Sequence, residues 1–196
     1  NVPQYLQLVR ELDLKLVMAV DTHVHADHVS GAARLRDSSR CMYAMGQETK
    51  AECLTHRFKD NDTIVFGRLA MRAIYTPGHT DDSYCFLMND RVFTGDTLLI
   101  RGTGRTDFQN GDPGAQYDSI FDRLLTLPDE TLVYPAHDYQ GRTSSSIIEE
   151  KHFNPRLLVN SRDEYIEQMN ALQLEPPAKI DIAVPANIRC DQKQAA

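Results

Sequence analysis

His23-x-His25-x-Asp27-His28 gathers three histidines and an aspartate within six residues. In an extended segment residues two apart face the same side, so His23, His25 and Asp27 share a face. His28 joins them as the chain turns toward Ser30-Gly31. Imidazole and carboxylate are the donors a borderline divalent metal takes. One histidine alone is more often a surface or satisfied core residue, but a cluster this dense is hard to explain as packing. Further along, His79 follows Thr76-Pro77-Gly78, Asp96 follows Thr94-Gly95, and His137 follows Pro135-Ala136. Five of the seven histidines thus stand in chemically suggestive positions, whereas His56 and His152 read as ordinary surface or helix residues.

Each of these points lies just after an apolar run. Leu14 to Val20, Leu69 to Tyr75, Arg91 to Thr94 and Thr131 to Tyr134 have strand length and strand composition. Loops at strand ends are where rigid sheets present ligands and catalysts. Thr63 to Phe66 pairs with Leu69 to Tyr75 as a hairpin around Gly67-Arg68. Ser83 to Met88 pairs with Arg91 to Thr94 around Asn89-Asp90. The helical elements are Asn1 to Asp13, with Tyr5, Leu8, Val9 and Leu12 at helical spacing, and a short segment from Ala32 to Arg36. Asp112-Pro113 opens another helix whose core face is Tyr117, Ile120, Phe121 and Leu124. Two capping boxes, Ser146-x-x-Glu149 and Ser161-x-x-Glu164, open two more. The stretch 175–196 contains three prolines and reads as an extended C-terminal wrap. Strands and helices mixed in this order predict an α/β domain spanning 1–196.

The bulk properties narrow the partners. A formal net charge of -7 argues against nucleic acid and anionic membranes, because phosphate contacts need clustered Lys and Arg. No run approaches the roughly 18 apolar residues needed to span a bilayer. The four cysteines, Cys41, Cys53, Cys85 and Cys190, are widely spaced. They are expected to be free thiols in a reducing compartment, such as a bacterial cytoplasm or the mitochondrial matrix. An exposed helix face or the C-terminal stretch could support a homodimer.

T-H-x-H-x-D-H, then P-G-H-T, T-G-D and P-A-H, resembles the metallo-β-lactamase superfamily. The resemblance implies an αββα four-layer sandwich with metal at one edge. Its dinuclear members would hold one metal at His23, His25 and His79 and another at Asp27, His28 and His137, bridged by Asp96. The stretch from Leu98 to Gln109, including R-G-x-G-R-T-D-F-Q, narrows the match. So do Tyr134 to Tyr139, Asn154-Pro155-Arg156 and Val184 to Cys190. Together they resemble the persulfide dioxygenases, a branch related to glyoxalase II. That branch implies one Fe(II) per chain on His23, His79 and Asp96, with open positions for O2 and a substrate sulfur. His25, Asp27, His28 and His137 would then orient ligands and water by hydrogen bonds. The implied reaction oxidises glutathione persulfide to sulfite and glutathione. Arg105 is the match for holding a substrate carboxylate, with Tyr139 and Cys190 beside the pocket. A solvated loop arginine, a packing tyrosine and a small buried thiol are the plainer readings of those three.

The fold usually begins with strands ahead of its first helix, and about 40 residues of that sheet are not in the sequence. The main rival is a glyoxalase II-type hydrolase of glutathione thioesters with two Zn(II). It shares the whole ligand motif, His23, His25, Asp27, His28, His79, Asp96 and His137, but the R-G-x-G-R loop fits the oxygenase better. A β-lactamase lacks support in the absence of a secretory signal, and a flavodiiron-type oxidoreductase would carry an acidic residue at His25. The remaining alternative is a non-catalytic metal-binding module.

Overall fold

The computed structural model describes residues 1–190. Helix α1 (Val2–Glu11) is followed by β1 (Met18–Val20), α2 (Ala32–Ser39), β2 (Met42–Gly46) and β3 (His56–Phe58). Next come β4 (Thr63–Phe66), β5 (Leu69–Tyr75), β6 (Tyr84–Leu87), β7 (Arg91–Gly95) and the short pair β8 (Leu98–Leu99) and β9 (Gly102–Thr103). Helix α3 (Pro113–Asp118) runs on as a π-helical stretch, Ser119–Leu124, before β10 (Leu132–Pro135) and β11 (Ser145–Ser146). Then follow α4 (Ile147–Phe153), α5 (Arg162–Asn170) and α6 (Ile180–Arg189). These elements form two compact units, Asn1–Phe58 with the segment from Glu175 onward, and Lys59–Leu174.

The first unit is built on a parallel sheet of order β1-β2-β3. Parallel neighbours cannot be joined by a tight turn, and α2 supplies the crossover from β1 to β2. Ala32 and Ala33 of α2, Tyr43 and Met45 of β2, Ala19 and Val24 form one buried apolar cluster. Val184 and Ile188 of α6 pack against it. This corrects the reading of 175–196 as an extended wrap: it carries a helix. Pro185 inside that helix withdraws one backbone donor, but the buried Ala183 and Ala186 fix the helix by packing. Residues 191–196 of the expected wrap lie outside the described residues. Strand β1 keeps only the last three residues of the expected run from Leu14, and Leu14 and Val17 are exposed. Tyr5 and Leu8 of α1 and Leu12 just after it are exposed as well.

The second unit contains a six-stranded sheet of order β11-β10-β7-β6-β5-β4. The two hairpins form with the expected pairing, Phe66 opposite Leu69 and Leu87 opposite Val92. Ile74, Cys85, Val92 and Val133 turn to one face, where Ile120, Leu124, Ile147, Tyr165 and Met169 cover them. Tyr117 and Phe121 stack at 4.1 Å between ring centres, against the same cluster. Burial raises the pKa of the Cys85 thiol to about 11, so this cysteine acts as a small core residue. Helix starts follow the capping rules. Asp112 accepts from the amide of Ala115, Ser146 from that of Glu149 and Ser161 from that of Glu164. Among the described residues, no helix is long and apolar enough to cross a membrane.

Candidate functional site

In the second unit the sheet topology gathers three of the predicted residues. Strand β10 runs parallel to β7, and β6 is antiparallel to both β5 and β7. Strands β5, β7 and β10 therefore point the same way and end at one edge. His79, Asp96 and His137 follow those three ends. Asp96 Oδ1 accepts a hydrogen bond from His137 Nδ1 at 2.7 Å, and Asp96 Oδ2 lies 3.6 Å from His79 Nε2. All three side chains are largely buried. His79 Nδ1 is 2.7 Å from the carbonyl of Arg105. A carbonyl only accepts, so Nδ1 carries the proton and Nε2 presents its lone pair, as a metal ligand must.

The loop that supplies this carbonyl is held from several sides. Asn154 Nδ2 donates to the carbonyl of Gly102 at 3.0 Å, Arg156 to that of Thr103 at 2.8 Å, and Gln116 Nε2 to that of Gly104 at 3.1 Å. Glu150 is fully buried. It accepts from the backbone amide and guanidinium of Arg101 and from Asn154 and Ser145. Arg101, the first residue of the R-G-x-G-R stretch, is thus a structural arginine, held at a φ of 61°. Gly104 is required by space. A Cβ there would sit 2.7 Å from His79 Nδ1 and closer still to the Asp96 carbonyl oxygen. Gly104 also donates its amide to that carbonyl at 2.8 Å. Sequence reasoning did not single out Gln116, Glu150 or Asn154 for roles, although Asn154-Pro155-Arg156 stood among the matched motifs.

Arg105 is not a solvated loop arginine. Its guanidinium donates to Asp107 through Nε at 2.6 Å and Nη2 at 2.7 Å, donates to the Leu174 carbonyl at 3.1 Å, and lies over the Phe108 ring. Its hydrogen bonds hold the Asp107 carboxyl below the usual carboxylate range. Tyr139 is exposed, its ring parallel to that of His137 at 6.1 Å.

In the first unit, His23, His25, Asp27 and His28 lie on the irregular segment between β1 and α2. His23 is buried, with Nδ1 2.9 Å from the Thr22 hydroxyl. The His23 and His25 rings are 4.3 Å apart and those of His25 and His28 4.5 Å apart. His25, Asp27 and His28 each offer one ligand atom, and these lie within 4.8 Å of one another. The buried amide of Asn187, which stood in a matched motif without an assigned role, hydrogen-bonds to the backbone of this segment.

Cys190 requires a correction. It is joined to Cys53 in a disulfide, so the expectation of four free thiols fails, and Cys41 and Cys85 are the free pair among the described residues. The partners are 137 residues apart in sequence, so no local spacing signals the bond. It forms because the last turn of α6 lies beside the segment after β2, where Glu52 donates its amide to the Ile188 carbonyl.

The description "Metallo-beta-lactamase superfamily" matches residues 6–137. The chain has the mixed α/β fold of that class of metal-dependent proteins. Persulfide dioxygenase ETHE1, mitochondrial, of Homo sapiens is 46% identical over 191 residues, covering 96% of this chain and 74% of that protein. The crystal structure of ETHE1 from Myxococcus xanthus is 51% identical, covering 96% of this chain and 84% of that one, with a TM-score of 0.93. More distant is the hydroxyacylglutathione hydrolase of Dictyostelium discoideum, 28% identical over 178 residues, covering 86% of this chain and 65% of that protein. The chain belongs to the persulfide dioxygenase family within the metallo-beta-lactamase superfamily.

Proposed function

We propose that this protein is an iron-dependent dioxygenase that converts glutathione persulfide, O2 and water to glutathione and sulfite. The observation that carries this reading is 46% identity, over nearly the whole chain, to a relative named persulfide dioxygenase. His23, His79 and Asp96 are the proposed ligands of one Fe(II). Two imidazoles and a carboxylate suit that ion, and the Nε2-presenting tautomer of His79 fits the role. When bound, the iron would supply redox chemistry toward O2 and a substrate sulfur. The protein side of the reaction is orientation and charge. One short loop would serve both ends of the site, its Arg105 carbonyl fixing His79 and Asp107 holding the Arg105 guanidinium. Arg105 would hold a carboxylate of glutathione, with Tyr139 beside it, and His137 would restrain Asp96 through their 2.7 Å bond. Cys190 would face the pocket as half of a disulfide, without nucleophilic thiolate character. For the compartment, the mitochondrial name of the human relative supports the matrix reading over a bacterial cytoplasm.

A dinuclear Zn(II) thioesterase is the second reading, and the compact His25, Asp27 and His28 group favours it. Metal analysis of the purified protein separates the two. One iron per chain, lost in His23→Ala, is the expected result. Two zincs per chain would overturn the oxygenase reading.

A further inference from the structure

We propose that Asn187 is a positioning residue of the metal site, its carboxamide clamping the backbone turn that presents His25, Asp27 and His28. The proposal rests on the proposed iron site, to which this irregular segment would contribute His23 as a ligand and His25, Asp27 and His28 as the groups that orient it. Residues 21–31 contain no helix or strand, so their backbone donors and acceptors need partners from elsewhere. Asn187 supplies three. Its Nδ2 donates to the carbonyls of His25 and His28, each at 2.8 Å, and its Oδ1 accepts from the amide of Ser30 at 2.9 Å. The two carbonyls bracket Asp27, so one rigid planar group fixes three points of the turn. Asn187 is only 6% exposed, so water replaces these bonds poorly.

The clamp has a stiff base. Ala183 and Ala186 of α6 are fully buried, Ile188 accepts from the Glu52 amide at 2.9 Å, and Cys190 is bonded to Cys53. The chemistry is also specific. Aspartate would keep the acceptor for Ser30 but lose both donors, and would set a carboxylate against two carbonyls. The metal would therefore meet a turn shaped by a side chain some 160 residues away, which touches no ligand atom itself. Outer partners of this kind typically change metal affinity by about 10–100-fold.

The test is Co2+ titration of the chelator-stripped full-length protein, read by its visible absorption, for the parent, Asn187→Ala, Asn187→Asp, His23→Ala and Thr55→Val. Thr55→Val is the stability control. It removes two bonds that tie Thr55 to the Tyr43 backbone and leaves the turn untouched. Both Asn187 variants are expected to bind Co2+ about 10-fold more weakly or worse, with a shifted spectrum. Thr55→Val should stay within about twofold. Parent-like affinity in Asn187→Ala, beside loss in His23→Ala, would overturn the clamp and leave the metal reading standing. Parent-like affinity in His23→Ala would instead overturn the metal reading and this proposal with it. Should the Asn187 variants fail to fold, amide exchange in the parent decides. Ser30 should be protected as strongly as the amides of α6, and exchange at the rate of an open loop would refute the clamp.

Discussion

His79, Asp96 and His137 follow three strands that run the same way in one sheet, whereas His23, His25, Asp27 and His28 share one irregular turn after a three-residue strand. The first group inherits its geometry from strand direction and from a loop held by Gln116, Glu150, Asn154 and Arg156. The second has little sheet to inherit from, and a distant amide on α6 holds its backbone at His25, His28 and Ser30. A rigid sheet edge and a clamped turn can serve the same chemistry, but they fail differently. Damage to the first should remove ligands or the frame that orients them. Damage to the second should leave the ligands present and poorly arranged.

The largest expected effect lies at the sheet edge. Asp96→Asn should lose iron and turnover together, by more than about 100-fold, since a direct ligand outweighs its outer partners. Metal content and oxygen uptake check this, and an active, iron-loaded variant would remove Asp96 from the ligand set. Next comes the latch of the other unit. Opening Cys53–Cys190 with a dithiol, or by Cys53→Ser, should cost about 2–4 kcal/mol of stability, because the bond closes a long loop. Denaturant melts with and without reductant measure it, and coincident curves would mean that the bond does not tether α6. Arg105→Ala is expected to raise the apparent KM for the persulfide by about 10-fold with iron retained, in line with loss of one charge-assisted contact. Loss of iron instead would show that the residue acts on His79 and not on substrate. Smallest is Ser161→Ala, which removes the cap of α5 and should cost about 1 kcal/mol without changing the metal.

The contrast between the regions also explains what the sequence revealed. Strands β4 to β7 were legible to within a residue or so, because alternation and turn residues are local signals. The positions of His79, Asp96 and His137 were legible for the same reason, each following an apolar run. Strands β2 and β3 were not. His56 is an exposed surface residue, as read, but the strand β3 that it opens was not assigned, and the burial of β2 does not alternate. Helix α6 was hidden by Pro176, Pro177 and Pro185, whose local message is extension, and tertiary packing overrides it. The Cys53–Cys190 bond and the Asn187 clamp join residues 137 to 162 positions apart. No periodicity reports a contact of that separation. Arg105 was found as a residue but not as half of a pair, since nothing in the spacing told that Asp107 would hold it.

Oxygen uptake by the purified protein tests the central claim most directly. With glutathione persulfide, one O2 should be consumed for each sulfite formed, and no uptake should occur with a glutathione thioester. Rapid thioester cleavage without oxygen consumption would contradict the account and return the chain to the hydrolases.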